Sequence, residues 1–295
     1  MKPLVVVLLP LFVCITNADA TPLLLLTSGA VVTTSSDTTI DRRDNLTDSS
    51  NPDLTRDTTY LFSYTDPGLP GGLAEGQFDA FGTVSYGSIG LSMSLDMDGQ
   101  LTRPRVTTFS SGFWRDDLTF ETGGVDGTVV LTFALDGNGT SDSLSSGVEG
   151  FHLLRFYGGV SPASPDPFTD YDVTDSVFST SYFSAPIPFV SGVPVSVIGT
   201  AGTNVRFTCV AVDCSAWSGS GTLDFGHTAL LSGIAAFDLS GAPIPDFTIR
   251  SSSGTRYTQD GVAAVPEPAS MLLLGSGLVG LVSNARRRKR QQVQE

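Results

Sequence analysis

The sequence predicts an all-β protein whose body is an antiparallel β-sandwich or jelly-roll-like fold. Short apolar runs with a two-residue period recur along the chain, and Asp-Gly, Asn-Gly or Gly-Gly turns close many of them. Glycine supplies 32 of the 295 residues and charged residues only 16%, a composition typical of turn-rich β proteins. Between the two ends of the chain, no apolar run has the spacing of an amphipathic helix.

Residues 1–20 are predicted to be a secretory signal peptide. A lysine near the start, an apolar run from Leu4 to Ile15 and the small-residue ending Ala18-Asp19-Ala20 are its three parts. We therefore expect cleavage after Ala20 and export of the remaining chain into an oxidising compartment.

The body follows in two parts. Residues 21–57 open with a short apolar strand and continue as a loose segment rich in Thr, Ser, Asp and Asn. Residues 58–262 are predicted to form the β-sandwich domain, because Leu91, Met93, Leu95 and Met97 alternate with polar residues as in a half-buried strand. Other strands are predicted within residues 58–64, 127–135, 148–157, 193–198, 205–212, 221–225, 229–239 and 247–250.

Residues 263–290 carry three features in a fixed order. Pro266-Glu267-Pro268 comes first, and paired prolines keep a backbone extended. The stretch from Pro268 to Ala285 has no charge and would form a helix of about 27 Å, which predicts a single transmembrane helix at about residues 269–285. Five cations follow and are expected to stay on the cytoplasmic side: Arg286, Arg287, Arg288, Lys289 and Arg290.

This order of Pro-Glu-Pro, apolar helix and basic cluster resembles the PEP-CTERM sorting signal of Gram-negative bacteria that make extracellular polysaccharide. The resemblance implies recognition by an exosortase-type membrane transpeptidase and cleavage near Pro266, Glu267 and Pro268. Release from the cell or attachment to its surface would follow. The alternative is a permanent single-pass anchor with a rigid proline-rich stalk.

The charge of the body excludes one class of partner. Residues 21–264 contain 10 Arg against 27 Asp and Glu, a balance of −17. We expect no nucleic-acid binding, because phosphates are held mostly by Lys and Arg. Both lysines, Lys2 and Lys289, lie outside this range, which also excludes a Schiff-base lysine and a Walker-type loop.

Cys209 and Cys214 are the only cysteines left after signal removal, so export predicts a disulfide between them.

Calcium is the one cofactor that the sequence suggests. Oxygen-bearing side chains occupy positions 1, 3, 5 and 7 of a calcium-loop-like run: Asp136, Asn138, Thr140 and Asp142. Ser141 stands where such a loop needs Gly, and Gly147 stands where it needs Glu. An ordinary hairpin turn at Asp136-Gly137-Asn138-Gly139 is the alternative reading.

The function expected from these features is that of a non-enzymatic cell-surface or extracellular-matrix protein, with a role in adhesion or exopolysaccharide association. The sequence contains neither Gly-x-Ser-x-Gly nor His-Glu-x-x-His. One alternative is a secreted carbohydrate-active hydrolase, in which His152 or His227 would meet a carboxylate within hydrogen-bond reach. Another is a permanently anchored binding module. Aromatic residues that could stack on sugars are Trp114, Trp217, Tyr157, Tyr171 and Tyr182.

Overall fold

The computed structural model describes residues 22–33, 39–48, 53–65, 73–99, 105–142, 144, 147–160, 168–209 and 217–262. These residues form strands and no helix. The strands are β1 (Leu23–Thr33), β2 (Thr39–Asp48), β3 (Asp53–Thr65), β4 (Leu73–Ser85), β5 (Ser88–Gly99), β6 (Arg105–Glu121), β7 (Gly127–Asp142), β8 (Val148–Gly159), β9 (Thr169–Asp172), β10 (Ser176–Phe183), β11 (Ile187–Phe189), β12 (Pro194–Cys209), β13 (Trp217–Asp238), β14 (Pro243–Ile244), β15 (Thr248–Ser251), β16 (Tyr257–Thr258) and β17 (Gly261–Val262).

The strands form two large sheets. The first sheet has the order β2-β1-β6-β12-β8-β9, and β15 also pairs with β6. The second has the order β10-β7-β13-β5-β4-β3, with β11 on β7 and β14 on β13, while β16 and β17 form a small hairpin. Within the described residues the chain changes between the two large sheets eight times, as in Greek-key and jelly-roll sandwiches: between β2 and β3, β5 and β6, β6 and β7, β7 and β8, β9 and β10, β11 and β12, β12 and β13, and β14 and β15. The predicted all-β, antiparallel class is confirmed.

The core lies between the inner faces of the two sheets. Trp114 and Phe156 of the first sheet meet Phe133 of the second, with ring centroids 6.3 Å and 5.1 Å from it. All three side chains are almost completely buried. Burying an apolar side chain of this size contributes about 1.5–3 kcal/mol, so such contacts hold the sheets together.

β5 has the predicted alternation. Leu91, Met93, Leu95 and Met97 are each at most 4% exposed, and the polar residues between them face outward. Two other strands are longer than predicted, because β12 and β13 each join two predicted strands. β13 does so with a register shift between Phe225 and Ala229.

The turn predicted at residues 136–139 is wrong, because these residues lie inside β7. Gly137 and Gly139 face inward, where a Cβ would collide with the Phe225 ring and with the backbone of Val173. These glycines therefore allow close packing within a strand instead of closing a hairpin.

The loose segment predicted within residues 21–57 is also corrected. β2 and the first part of β3 lie there, so the sheets begin at β1 and not at residue 58. Polar residues fit this place because β2 and β3 are edge strands, and edge strands commonly carry charges. The predicted signal peptide and all residues after Val262 lie outside the described residues.

Candidate functional site

The outward faces of the two sheets differ in charge. Arg56 is the only cation in the strands of the second sheet, and it lies on the inward side of β3. The outward positions of this sheet form the acidic face, whose carboxylates are Asp53, Asp57, Glu75, Asp79, Asp96, Asp98, Asp136, Asp142 and Asp224. The outward positions of the first sheet include four arginines: Arg105, Arg115, Arg155 and Arg206.

The first sheet also carries half-buried apolar side chains on its outward side. This aromatic face consists of Phe109, Phe113, Phe151, Leu153 and Tyr157, which alternate with core residues along β6 and β8 and belong to neither core cluster. Phe113 and Tyr157 lie in one row across Thr200 of β12, and Phe109 and Leu153 lie in another row across Asn204.

A shallow depression separates the two rows at Gly202 of β12. The atom nearest to a Cβ built on Gly202 would be Cβ of Ser111, 3.8 Å away, so packing does not require glycine at this position. A glycine inside a strand with open space above it lets a ligand approach the backbone.

A surface hollow of about 190 Å³ lies beside the aromatic face. It is lined by Glu149, Gly150, Phe151, Arg206 and Thr208. The guanidinium carbon of Arg206 lies 4.7 Å from the centroid of the Phe151 ring.

A second arginine lies next to this hollow. Thr208 of β12 pairs with Arg105 of β6, which places Arg105 diagonally across from Arg206. Burial lowers the pKa of Arg206, and the charge of Arg105 lowers it further. The hollow is therefore a place where two positive charges meet in an otherwise acidic protein.

A third arginine lies between the two rows, because Arg155 of β8 is the pairing partner of Gly202. Arg155 of β8 donates two hydrogen bonds of 2.7 Å to the carboxylate of Asp170 on β9. Its guanidinium carbon lies 5.7 Å from the Phe168 ring, which meets Tyr157 edge-on at 6.0 Å. A bidentate pair next to aromatic rings is a rigid arrangement, so this part of the aromatic face is preorganised.

The structure places the predicted sugar-stacking residues differently. Trp114 is wrong as a platform because it is 1% exposed and packs in the core. Tyr171 and Tyr182 are half-buried and pack against the core as well. Tyr157 alone of the described candidates lies on the outward face of the first sheet, and the side chain of Trp217 lies outside the described residues.

His152 is completely buried on the inner side of β8. Its Nδ1 lies 3.4 Å from Oγ of Ser141, and its Nε2 has no hydrogen-bond partner among the described residues. Burial lowers the pKa of His152, against the opposing charges of Asp175 and Asp172. The described part of the chain gives this histidine no carboxylate within hydrogen-bond reach, and the side chain of His227 is outside that part.

The four residues predicted to bind calcium lie along one extended strand. Asp136, Asn138, Thr140 and Asp142 all face outward from β7. Same-side neighbours on a strand are about 7 Å apart, so the two aspartates at the ends cannot reach one ion together. Asp136 instead accepts a hydrogen bond from Ser179, and the hydroxyls of Thr140 and Thr222 lie 2.8 Å apart. Calcium binding stays a prediction, but residues 136–142 form an extended strand and not a chelating loop.

Cys209 ends β12 and is 8% exposed. Cys214 lies outside the described residues, so the pairing of these two cysteines stays a prediction.

The last described residues are held to the body by a buried carboxylate. Asp116 of β6 is completely buried and accepts hydrogen bonds from the Ser252 hydroxyl at 3.0 Å, from the Ser253 amide at 3.0 Å and from the Tyr257 hydroxyl at 3.1 Å. The Ser253 hydroxyl also donates to it, at 2.5 Å. We call this arrangement, with the pairing of β15 on β6, the C-terminal clasp.

The hairpin after the clasp is fixed too. Tyr257 is 4% exposed, and the side chain of Val262 packs where Gly87 leaves room for it. The amide of Ile234 donates to the carbonyl of Gln259 at 2.8 Å. The folded body therefore continues to Val262, and only residues 263–265 separate it from Pro266.

The C-terminal region matches the family model described as the PEP-CTERM protein-sorting motif. Residues 264–289 carry this motif. It covers the predicted Pro266-Glu267-Pro268 and four of the five terminal cations, with Arg290 just beyond its end. No curated protein matches the chain.

A PEP-CTERM motif supports an exported protein that is sorted by an exosortase, and it implies membrane anchoring before processing. The motif, the helix predicted at about residues 269–285 and the basic residues 286–290 lie outside the described residues. Within the described part of the chain, no helix has the length and apolar character needed to cross a membrane.

Proposed function

We propose that the processed protein acts at the cell surface or in the extracellular matrix, as a non-enzymatic protein that associates with exopolysaccharide and supports adhesion. The single observation that carries this proposal is the aromatic face. Phe109, Phe113 and Tyr157 are only half-buried on the outward side of the first sheet, and aromatic rings stack on the apolar faces of sugars.

The surroundings of the aromatic face support the same role. Asn204 and the Arg155–Asp170 pair place hydrogen-bonding groups between and beside the rings. No side chain of β12 stands between the two rows at Gly202, where a sugar could approach the sheet. Sugar-binding surfaces combine apolar contact with a few fixed polar groups in this way.

The hydrolase alternative has less support. A hydrolase that uses His152 would need that ring to meet a carboxylate, whereas its described contact is the Ser141 hydroxyl. Anchoring without cleavage remains the alternative for the C-terminal region, and the disulfide and the transmembrane helix are part of the proposal.

Binding is tested by co-sedimentation of the surface-extracted protein with exopolysaccharide of its host. We expect Phe109→Ala and Phe113→Ala to lower the bound fraction at least tenfold together, because stacking contributes about 1 kcal/mol for each ring. Phe183→Ala is the matched control, since Phe183 is 63% exposed on the second sheet. Equal binding by all variants, or release of reducing ends from the polysaccharide, contradicts the proposal.

Processing is tested separately by intact-mass spectrometry of the protein from the host surface and medium. We expect loss of the C-terminal region in the natural protein and its retention when Pro266, Glu267 and Pro268 are all replaced by Ala. An intact C-terminus through Glu295 in both proteins would establish a permanent anchor.

A further inference from the structure

The two arginines at the hollow are arranged for an anion. Between described residues, no ion pair involves Arg105 or Arg206. Two like charges held close together repel each other, unless a negative group joins them. Glu149, which also lines the hollow, is exposed and supplies one negative charge against the two of Arg206 and the neighbouring Arg105, so an excess of positive charge is left.

The geometry of Arg206 suits a planar anion. The Arg206 guanidinium lies over the Phe151 ring, with its carbon 4.7 Å from the ring centroid, and Arg206 lines the hollow, so its N–H groups can reach an anion there. A guanidinium held in this way can donate two parallel hydrogen bonds to a carboxylate. Thr208 adds a hydroxyl donor on the same strand.

The position of the hollow connects the anion to a sugar. Phe151 lines the hollow and also belongs to the aromatic face, two residues from Leu153 on the same side of β8. The hollow of about 190 Å³ admits a carboxylate and part of the ring that carries it.

The acidic face does not cancel this attraction. It lies on the opposite side of the sandwich, and stacked sheets are about 10 Å apart before their outward side chains are counted. Through the solution around the sandwich, exposed charges separated by more than about 8 Å are largely screened at physiological salt.

We propose that this hollow binds the carboxylate of an acidic sugar, so that the polysaccharide recognised by the aromatic face is a polyuronate. This inference rests on the proposed exopolysaccharide-binding function and specifies its ligand class. Arg206 pairs with the carboxylate, Arg105 strengthens the local positive potential, and Phe151 stacks beneath Arg206 while bordering the sugar.

Calorimetric titration of the full chain in detergent tests the inference, with polygalacturonate as the acidic probe and dextran as the neutral one. We expect binding of polygalacturonate that weakens as salt is raised. Arg206→Gln and Arg105→Gln should each weaken it about tenfold or more, and Arg206→Lys should give an intermediate loss because it keeps the charge without the planar group.

Arg250→Gln is the matched control. Arg250 belongs to β15 of the same sheet and forms an ion pair with Glu121 of β6. Neither residue lines the hollow. We expect this variant to bind polygalacturonate like the natural protein, and circular dichroism should give the same folded spectrum for all variants.

The outcomes separate the two proposals. Binding of dextran without polygalacturonate overturns the acidic-sugar inference and leaves the exopolysaccharide role standing. Equal affinity of the natural protein and Arg206→Gln overturns the assignment of the hollow. Binding of neither probe, nor of the host polysaccharide, overturns both proposals.

Discussion

Replacing Asp116 with alanine should open the C-terminal clasp while the sandwich stays folded. The substitution removes the acceptor of four hydrogen bonds. The two serine hydroxyls can turn to water, because Ser252 is exposed and Ser253 is half-buried. The Tyr257 hydroxyl and the Ser253 amide lose their partner in a more enclosed place, which costs about 1–3 kcal/mol each.

The expected loss in the free energy of opening is therefore about 2–6 kcal/mol. The backbone amide of Ser252 reports it, since it donates to the carbonyl of Asp117 at 3.0 Å and does not itself touch Asp116. Because about 1.4 kcal/mol corresponds to a tenfold change, its hydrogen-exchange rate should rise at least about 25-fold. Tyr257→Phe removes one of the four bonds and should raise the rate about tenfold or less.

Tyr157→Phe provides the matched control, because its hydroxyl bonds to the carbonyl of Val160 far from the clasp. We expect the exchange rate of Ser252 to stay unchanged in this variant. Unchanged exchange of Ser252 in Asp116→Ala would refute the reasoning. Equal acceleration of amides in β5 would also refute it, since the clasp would then not open as a separate unit.

Three further predictions concern stability. Burial raises the pKa of Tyr257 above its ordinary value, and the charge of Asp116 raises it further. As the pH rises, the unfolded chain therefore loses the phenolic proton at a lower pH than the folded chain does. The free energy of unfolding should fall above about pH 10, less steeply in Tyr257→Phe, when urea denaturation is repeated up to about pH 11. Burial lowers the pKa of His152, so the unfolded chain gains a proton first in acid. The free energy of unfolding should therefore decrease as the pH falls below about 6.5, and it should decrease less in His152→Gln. Parallel curves of unfolding free energy against pH for the two proteins would contradict this. If Cys209 and Cys214 form a disulfide, the exported protein has no free thiol. Cys209→Ser and Cys214→Ser should then each lower the free energy of unfolding by about 2 kcal/mol, whereas a free thiol in the natural protein excludes the bond.

The fold class could be predicted because several strands have a regular apolar alternation. β5 is the clearest case, with Leu91, Met93, Leu95 and Met97 all buried. β6 is not among the predicted strands, although it lies inside the first sheet between β1 and β12. Its inner side includes Thr108, Ser110 and Asp116, while Phe109 lies on its outer side, so the apolar period is broken on both faces.

Only part of the candidate site could be predicted from the sequence. The sequence suggested an aromatic surface but could not assign sides, because the parity of a strand depends on its register. The candidates that the sequence offers therefore include the buried Trp114 and leave out Phe109, Phe113 and Phe151. Arg206 and Arg105 are 101 positions apart in sequence, and only the pairing of β12 with β6 brings them together. The sorting motif needed no fold, since its residues are consecutive.

The clasp has a mechanical consequence if the processed protein is held to the surface by its C-terminal end. Drag on an attached polysaccharide would then pull against that end, and the load would enter the body at Val262. It would meet the β16–β17 hairpin first and next the Asp116 bonds, before β15 and the central strand β6. Under load these hydrogen bonds would break and re-form reversibly, while the sheet that carries the aromatic face stays folded.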